Sequence, residues 1–167
     1  MAINTSQGAG TVITEYDQWR WHTTTQVSAG DILSSNWERQ DNQGDYIGTG
    51  MSVDTSTGYW TFPRTGIYHI HTQCAAYVNA NIAYFSMVID RTNNGGSSFN
   101  NVAAAWQGSN YNIGNPHFMQ SSFVVIDVTN VSDVKIALRM DIPQDLYVFG
   151  GTSANYTAIT FMRIGDT

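Results

Sequence analysis

Four histidines, a few paired carboxylates and one cysteine are the side chains that could do chemistry. His69 and His71 stand two apart. On a strand they would share a face, a spacing that can hold a metal ion, and His71 repeated around a symmetry axis could present three imidazoles. No carboxylate or cysteine stands at ligand spacing beside them, so packing and hydrogen bonding in an interface is the simpler role and no metal is expected. Asp141 and Asp145 bracket a loop containing Pro143. Paired acids serve acid–base work or calcium, but here a solvated loop is the plainer reading. Cys74 falls on the apolar parity of its segment, which suits a buried structural thiol rather than a reactive one. The serines sit in Gly/Asn turns without the strand-to-helix elbow that exposes a nucleophile. Gly95-Gly96 and Gly150-Gly151 lack the lysine and following helix of a phosphate loop. No nucleophile, base and orienter come together, so neither an enzyme nor a cofactor is expected. Tyr46, Tyr59, Trp106, Tyr111 and Tyr147, set among Gly, Asn and Gln, are the better lead. Such rings can stack on sugars or dock a partner, and packing between loops is the competing use.

Composition narrows the scaffold. Charged residues are 12% of 167, about half the usual share, with Lys+Arg 7 against Asp+Glu 13 and a net charge of −6. Seven scattered cations in an acidic chain do not neutralise a phosphate backbone, so no nucleic-acid partner is expected. One Lys and two Glu rule out a long coiled coil. Aromatics at 13% rule out a disordered chain. One Cys permits neither an internal disulfide nor a cysteine-based zinc cluster. No stretch approaches the roughly 20 apolar residues of a membrane span. Met1-Ala2-Ile3-Asn4-Thr5-Ser6 has neither the basic region nor the apolar core of a signal peptide.

What remains is strand-and-turn chemistry. Val134, Ile136, Leu138 and Met140 alternate with more polar residues, and Tyr68, Ile70, Thr72 and Cys74 alternate with His69, His71 and Gln73. Further strands are expected over 19–25, 82–90, 102–107, 119–128 and 156–164, with a short one near 36–39. Asn93–Gly96, Gly108–Asn110, Asn115-Pro116, Val131–Asp133 and Gly150-Gly151 supply the turns. About eight short strands without helical periodicity predict an all-β antiparallel sandwich or jelly roll over 16–167, preceded by an extended arm over 1–15. Phe123-Val124-Val125-Ile126 and much of Ile159–Ile164 are apolar at both parities. An antiparallel sheet with one wet face should alternate. With no helix to cover the second face, another copy of the chain is the expected cover.

Residues 58–70 read Gly-Tyr-Trp-Thr-Phe-Pro-Arg-Thr-Gly-Ile-Tyr-His-Ile. This resembles the signature of the tumour necrosis factor (TNF)-like jelly roll, especially its complement globular-head branch, at Gly58, Trp60, Thr61, Pro63, Gly66, Tyr68 and Ile70. Val124–Leu138, with its Ser132-Asp133 turn, and Tyr156–Ile164 are similar to later parts of the same pattern, so the likeness runs over about 18–165. The resemblance implies a homotrimer. It places His69, His71 and Gln73, opposite Tyr68 and Ile70, at the trimer interface, joined by Phe123, Val125 and Met162. Protonating such interface imidazoles would weaken the trimer in acid.

Asp17-Gln18-Trp19-Arg20, Asn36-Trp37-Glu38-Arg39, Gly48-Thr49-Gly50-Met51 and Phe62–Tyr68 resemble small jelly-roll virion proteins of tailed bacteriophages. That resemblance implies a trimeric decoration (cement) protein made in the host cytoplasm and assembled into the virion. It would bind the major capsid protein through the arm, with Ile3, Val12 and Ile13 as its apolar contacts. The alternative is a receptor-binding fibre tip that reads a cell-surface glycan through Trp106, Tyr111 and Tyr147. An arm of about 15 residues is short for a fibre attachment.

Overall fold

The structure is a computed structural model that describes residues 13–40, 46–78, 80–109 and 117–167. Every described element is a strand. In chain order these are β1 (Tyr16–Trp21), β2 (Thr25–Val27), β3 (Trp37–Arg39), β4 (Ser52–Val53), β5 (Trp60–Thr61), β6 (Gly66–Tyr77), β7 (Ile82–Thr92), β8 (Asn100–Ala103), β9 (Gln107–Ser109), β10 (His117–Val128), β11 (Lys135–Asp141), β12 (Leu146–Val148) and β13 (Ala158–Gly165). No helix of the described residues is long and apolar enough to cross a membrane.

The strands form a seven-stranded and a six-stranded sheet, antiparallel at every pairing. In the first, β6 is the spine. It pairs along its whole length with β10 on one side, and with β13 and then β12 on the other. Beyond β13 come β1 and β3, and beyond β12 comes β2. The second sheet runs β4-β5-β11-β7-β8, with β9 also paired to β7. The expected all-β antiparallel sandwich is therefore present. Its strands are more numerous and shorter than alternation alone predicts. The stretch expected over 102–107 is broken into β8 and β9, and β7 shifts register within each pairing, between Ile89 and Asp90 opposite β8 and between Ile82 and Phe85 opposite β9. The stretch expected over 19–25 ends at Trp21, whose carbonyl accepts from Gly151 N at 2.9 Å, and resumes as β2.

Both sheets turn an apolar face inward. Four of the five tryptophans meet there. Trp60 packs edge-on to Trp19 and Trp37 at 5.2 and 5.5 Å, and Trp37 edge-on to Trp21 at 5.1 Å. Tyr68 and Ile70 point into the core as expected, and the Tyr68 hydroxyl donates to Arg64 O at 3.0 Å. Cys74 is also buried, on the same parity. Gly66 opens β6 at φ +143°, a region open mainly to glycine. A Cβ there would stand 2.7 Å from the Gly165 carbonyl oxygen.

The start of the sandwich is tied down by two buried carboxylates on β1 and the residue before it. Glu15 pairs with Arg64 at 2.7 Å and accepts the backbone N–H groups of Thr49 and Gly50. Asp17 accepts from Arg39 Nε and Nη2, Met51 N and Trp19 Nε1. Thr14 and Glu15, which the sequence assigns to the arm, thus belong to the body: Arg163 binds both the Thr14 hydroxyl and the Glu15 carbonyl. Ile13 is exposed just outside this anchor. Ile3 and Val12 lie outside the described residues.

Candidate functional site

The pleat decides which side chains leave the core. Along β10 every second residue is exposed (His117, Met119, Ser121, Phe123, Val125, Asp127), while Phe118, Gln120, Ser122, Ile126 and Val128 are buried. The two-sided apolar run thus resolves into Val124 and Ile126 facing the core and Phe123 and Val125 facing out. Phe123 is 67% exposed, Val125 53% and Met119 62%. The strands of this sheet are in register, so the outward residues line up in rows. One row reads Val125–His69–Met162–Tyr16, with Ile47 bridged beyond it. The next reads Phe123–His71–Thr160–Gln18. Neither row contains Asp, Glu, Lys or Arg.

The expected interface residues His69, His71, Gln73, Phe123, Val125 and Met162 therefore share one outer face on β6, β10 and β13. Within it, His69 stacks on Phe123 at 5.7 Å, and His71 Nε2 lies 2.7 Å from Ser121 Oγ. That His–Ser pair is exposed on the sheet face, and among the described residues no carboxylate orients the imidazole, so the geometry is that of a surface hydrogen bond. Gln73 is partly spoken for by its own chain. Its amide donates to Asn155 O, Asn155 donates on to Gln18, and Gln18 to Thr160. No group of three or more His, Cys, Asp or Glu poised for a metal occurs among the described residues.

The outer face of the other sheet differs in kind. Arg139 pairs with Asp90 at 2.6 Å, and this bond raises the Arg139 pKa further. Asp141 lies nearby and accepts from the Trp106 indole at 3.2 Å. Asp145, the other acid of the expected pair, instead accepts from Gln26, so the two acids do not converge. The loop aromatics do not form one surface either. Trp106, 57% exposed, lies over the six-stranded sheet. Tyr46 covers Arg39, and Tyr59 packs on Phe99. Tyr147 is not in a loop but in β12, stacked on Tyr77 at 4.9 Å. Tyr111 lies outside the described residues.

Two packed antiparallel sheets with a long central β6 and two uncharged rows on its outer face define an all-β jelly-roll sandwich of the TNF-like kind. Solved structures bear this out. The chain is similar to the Eiger TNF of S. frugiperda, at TM-score 0.66 and 16% identity over 93% of this chain and 96% of that one. It is also similar to murine APRIL at pH 5.0, at TM-score 0.59 and 13% identity over 89% and 98%, and to murine APRIL at pH 8.5, at TM-score 0.55 and 12% identity over the same shares. No protein-family model matches the chain, and no curated protein does. At these identities the likeness is one of fold.

Proposed function

We propose that the chain is a homotrimeric jelly-roll protein of a tailed-bacteriophage virion, a decoration protein held on the outer capsid shell. The observation that carries self-association is the pair of uncharged rows through Val125–His69–Met162 and Phe123–His71–Thr160. Well-exposed Phe123 and Val125 at the β10 end of these rows are side chains that a solvated sheet face would not gather. Closure of three copies buries them and leaves the ion-paired face of the six-stranded sheet to water.

The virion role rests on the phage-like motifs, three of which join in one structural unit: Asp17 and Arg39 lock the Gly48–Met51 turn. The major capsid protein is the proposed partner, reached through residues ahead of Thr14. Three arms on one trimer would bind with avidity. The chain would act in the virion after synthesis in the host cytoplasm, and the role is structural rather than enzymatic.

Quantitative mass spectrometry of purified virions tests this. Hundreds of copies per particle are expected of a decoration protein; a few dozen would shift the reading to a fibre tip, and none would overturn both. Deleting residues 1–12, which spares the Glu15 anchor, should leave trimers intact and abolish binding to capsid shells.

A further inference from the structure

The far end of the same outer face has a different chemistry. One cross-strand row there reads Gln26–Tyr147–Tyr77–His117, across β2, β12, β6 and β10. Tyr77 and Tyr147 are nearly parallel, at 10°. Phe149 packs against Tyr77 at 4.9 Å and against Tyr156 at 6.2 Å, so four rings form a continuous strip. Tyr77 is eight residues from His69 along β6, about 25 Å, so the strip is separate from the uncharged rows.

Three concavities adjoin it. The largest, about 690 Å³, is lined by Ala75, Gln107, Met119, Phe149 and Tyr156 among others. A second, of about 370 Å³, lies between Thr24, Tyr77, His117 and Phe149. A third, of about 570 Å³, is bounded by Gln26, Gln144, Asp145 and Tyr147. The rings are thus edged by amides, a hydroxyl and one carboxylate. The hydroxyls of Tyr77, Tyr147 and Tyr156 bond to no described residue. Among the described residues no Lys or Arg lines any of the three concavities.

We infer that this strip is a binding site for a neutral oligosaccharide. A pyranose ring has an apolar face of C–H groups that packs on an aromatic face, and a rim of hydroxyls that needs donors and acceptors in the plane of the ring. The strip offers both, rings for the faces and Gln26, Gln144, Asp145 and the tyrosine hydroxyls for the rims. Charge selects within the class. With Asp145 the one full charge on the lining and no cation beside it, a sulfated or carboxylated sugar is repelled and a neutral one is not. Nucleobases would also stack, but their phosphates would meet no counter-charge. The inference stands apart from the virion reading, since it uses neither the arm nor the uncharged rows.

The test titrates the full chain with maltohexaose, cellohexaose, chitohexaose and mannohexaose, following tyrosine and tryptophan fluorescence and NMR shifts. At least one should bind, with shifts confined to Tyr77, Tyr147, Phe149 and their neighbours. Tyr147→Ala should weaken binding roughly tenfold, the worth of one stacked ring. The exposed-rim change Gln144→Ala should weaken it less, Tyr147→Phe should keep the stacking, and Phe123→Asp should leave affinity unchanged. Failure of all four sugars to bind overturns the proposal, as does binding indifferent to both Tyr147→Ala and Gln144→Ala. If Tyr147→Ala instead dissociates the assembled protein while no sugar binds, a second copy covers the strip and the proposal also falls.

Discussion

Cys74 lies in the last third of β6, fully buried, with the Thr157 hydroxyl 3.8 Å from its sulfur. Burial pushes its pKa from the ordinary 9.0 up to about 12, against a small lowering from Thr157. Tyr68 behaves alike, driven from 10.0 to about 12 by burial and then by the neighbouring Glu15 charge. Both groups are neutral when protonated, and the fold favours that form. The unfolded chain therefore loses these protons at lower pH than the folded one. Their stabilising contribution is complete below pH 9 and is lost as pH climbs towards about 12. Native protein at pH 7.5 should take up no thiol-exchange reagent, and denatured protein should take up one equivalent. The unfolding free energy should fall above pH 9 by up to about 1.4 kcal/mol per pH unit for each such group. Cys74→Ala should remove the earlier part of that slope at a cost of roughly 1 kcal/mol at neutral pH. An unfolding midpoint flat from pH 8 to pH 11 would contradict the argument. The position of this thiol was legible in the sequence, because parity along an alternating strand is enough to assign a face. Its pKa was not, since that depends on what the second sheet lays over it.

Long elements announced themselves and short ones did not. β6 and β11 carry enough alternation, and β10 and β13 long enough apolar runs, to be read from residue types, and the sequence places most of their outward residues correctly. β4, β5 and β12 are two or three residues long, too short for a period, and exist because a neighbouring strand pairs with them. The aromatic strip went unread for the same reason: its row is assembled from four strands, and Tyr147 looked like a loop residue without β12. The carboxylates Glu15 and Asp17 were equally silent. Two acids two apart on a strand face the same way, but nothing local says that three successive amides, of Thr49, Gly50 and Met51, will converge on them. This clasp closes the connection from β3 to β4, with Arg39 held between Asp17 and the rings of Trp19 and Tyr46. Asp17→Asn preserves the shape while removing the charge that Arg39 and the Met51 amide require. Arg39 retains some access to water, which moderates the cost to about 2–3 kcal/mol. Urea unfolding should show a lowered midpoint with an unchanged slope. A loss under about 0.5 kcal/mol would mean the clasp is incidental to stability.

For the whole molecule, the two outer faces make opposite demands on solvent. One carries Arg139 paired to Asp90 and the Trp106–Asp141 hydrogen bond; the other gathers Phe123, Val125, His69 and Met162 without a charge among them. The low charge content visible in the composition is thus concentrated on a particular surface, and that asymmetry predicts which sheet carries assembly. Phe123→Asp places a charge within the uncharged rows, at their exposed β10 end. Because the side chain is mostly outside the single-chain core, the fold should survive, and the circular dichroism spectrum should be unchanged. Burying that carboxylate against another copy without a partner costs several kcal/mol per chain, and a trimer would incur the cost three times. Sedimentation equilibrium should therefore give three times the chain mass for the parent protein and the mass of one chain for Phe123→Asp at micromolar concentration. Trp106→Ser, at a comparably exposed aromatic on the other sheet, should leave the trimer mass unchanged. The reverse result, with Phe123→Asp still trimeric and Trp106→Ser monomeric, would move assembly to the six-stranded sheet and remove the basis for the proposed function.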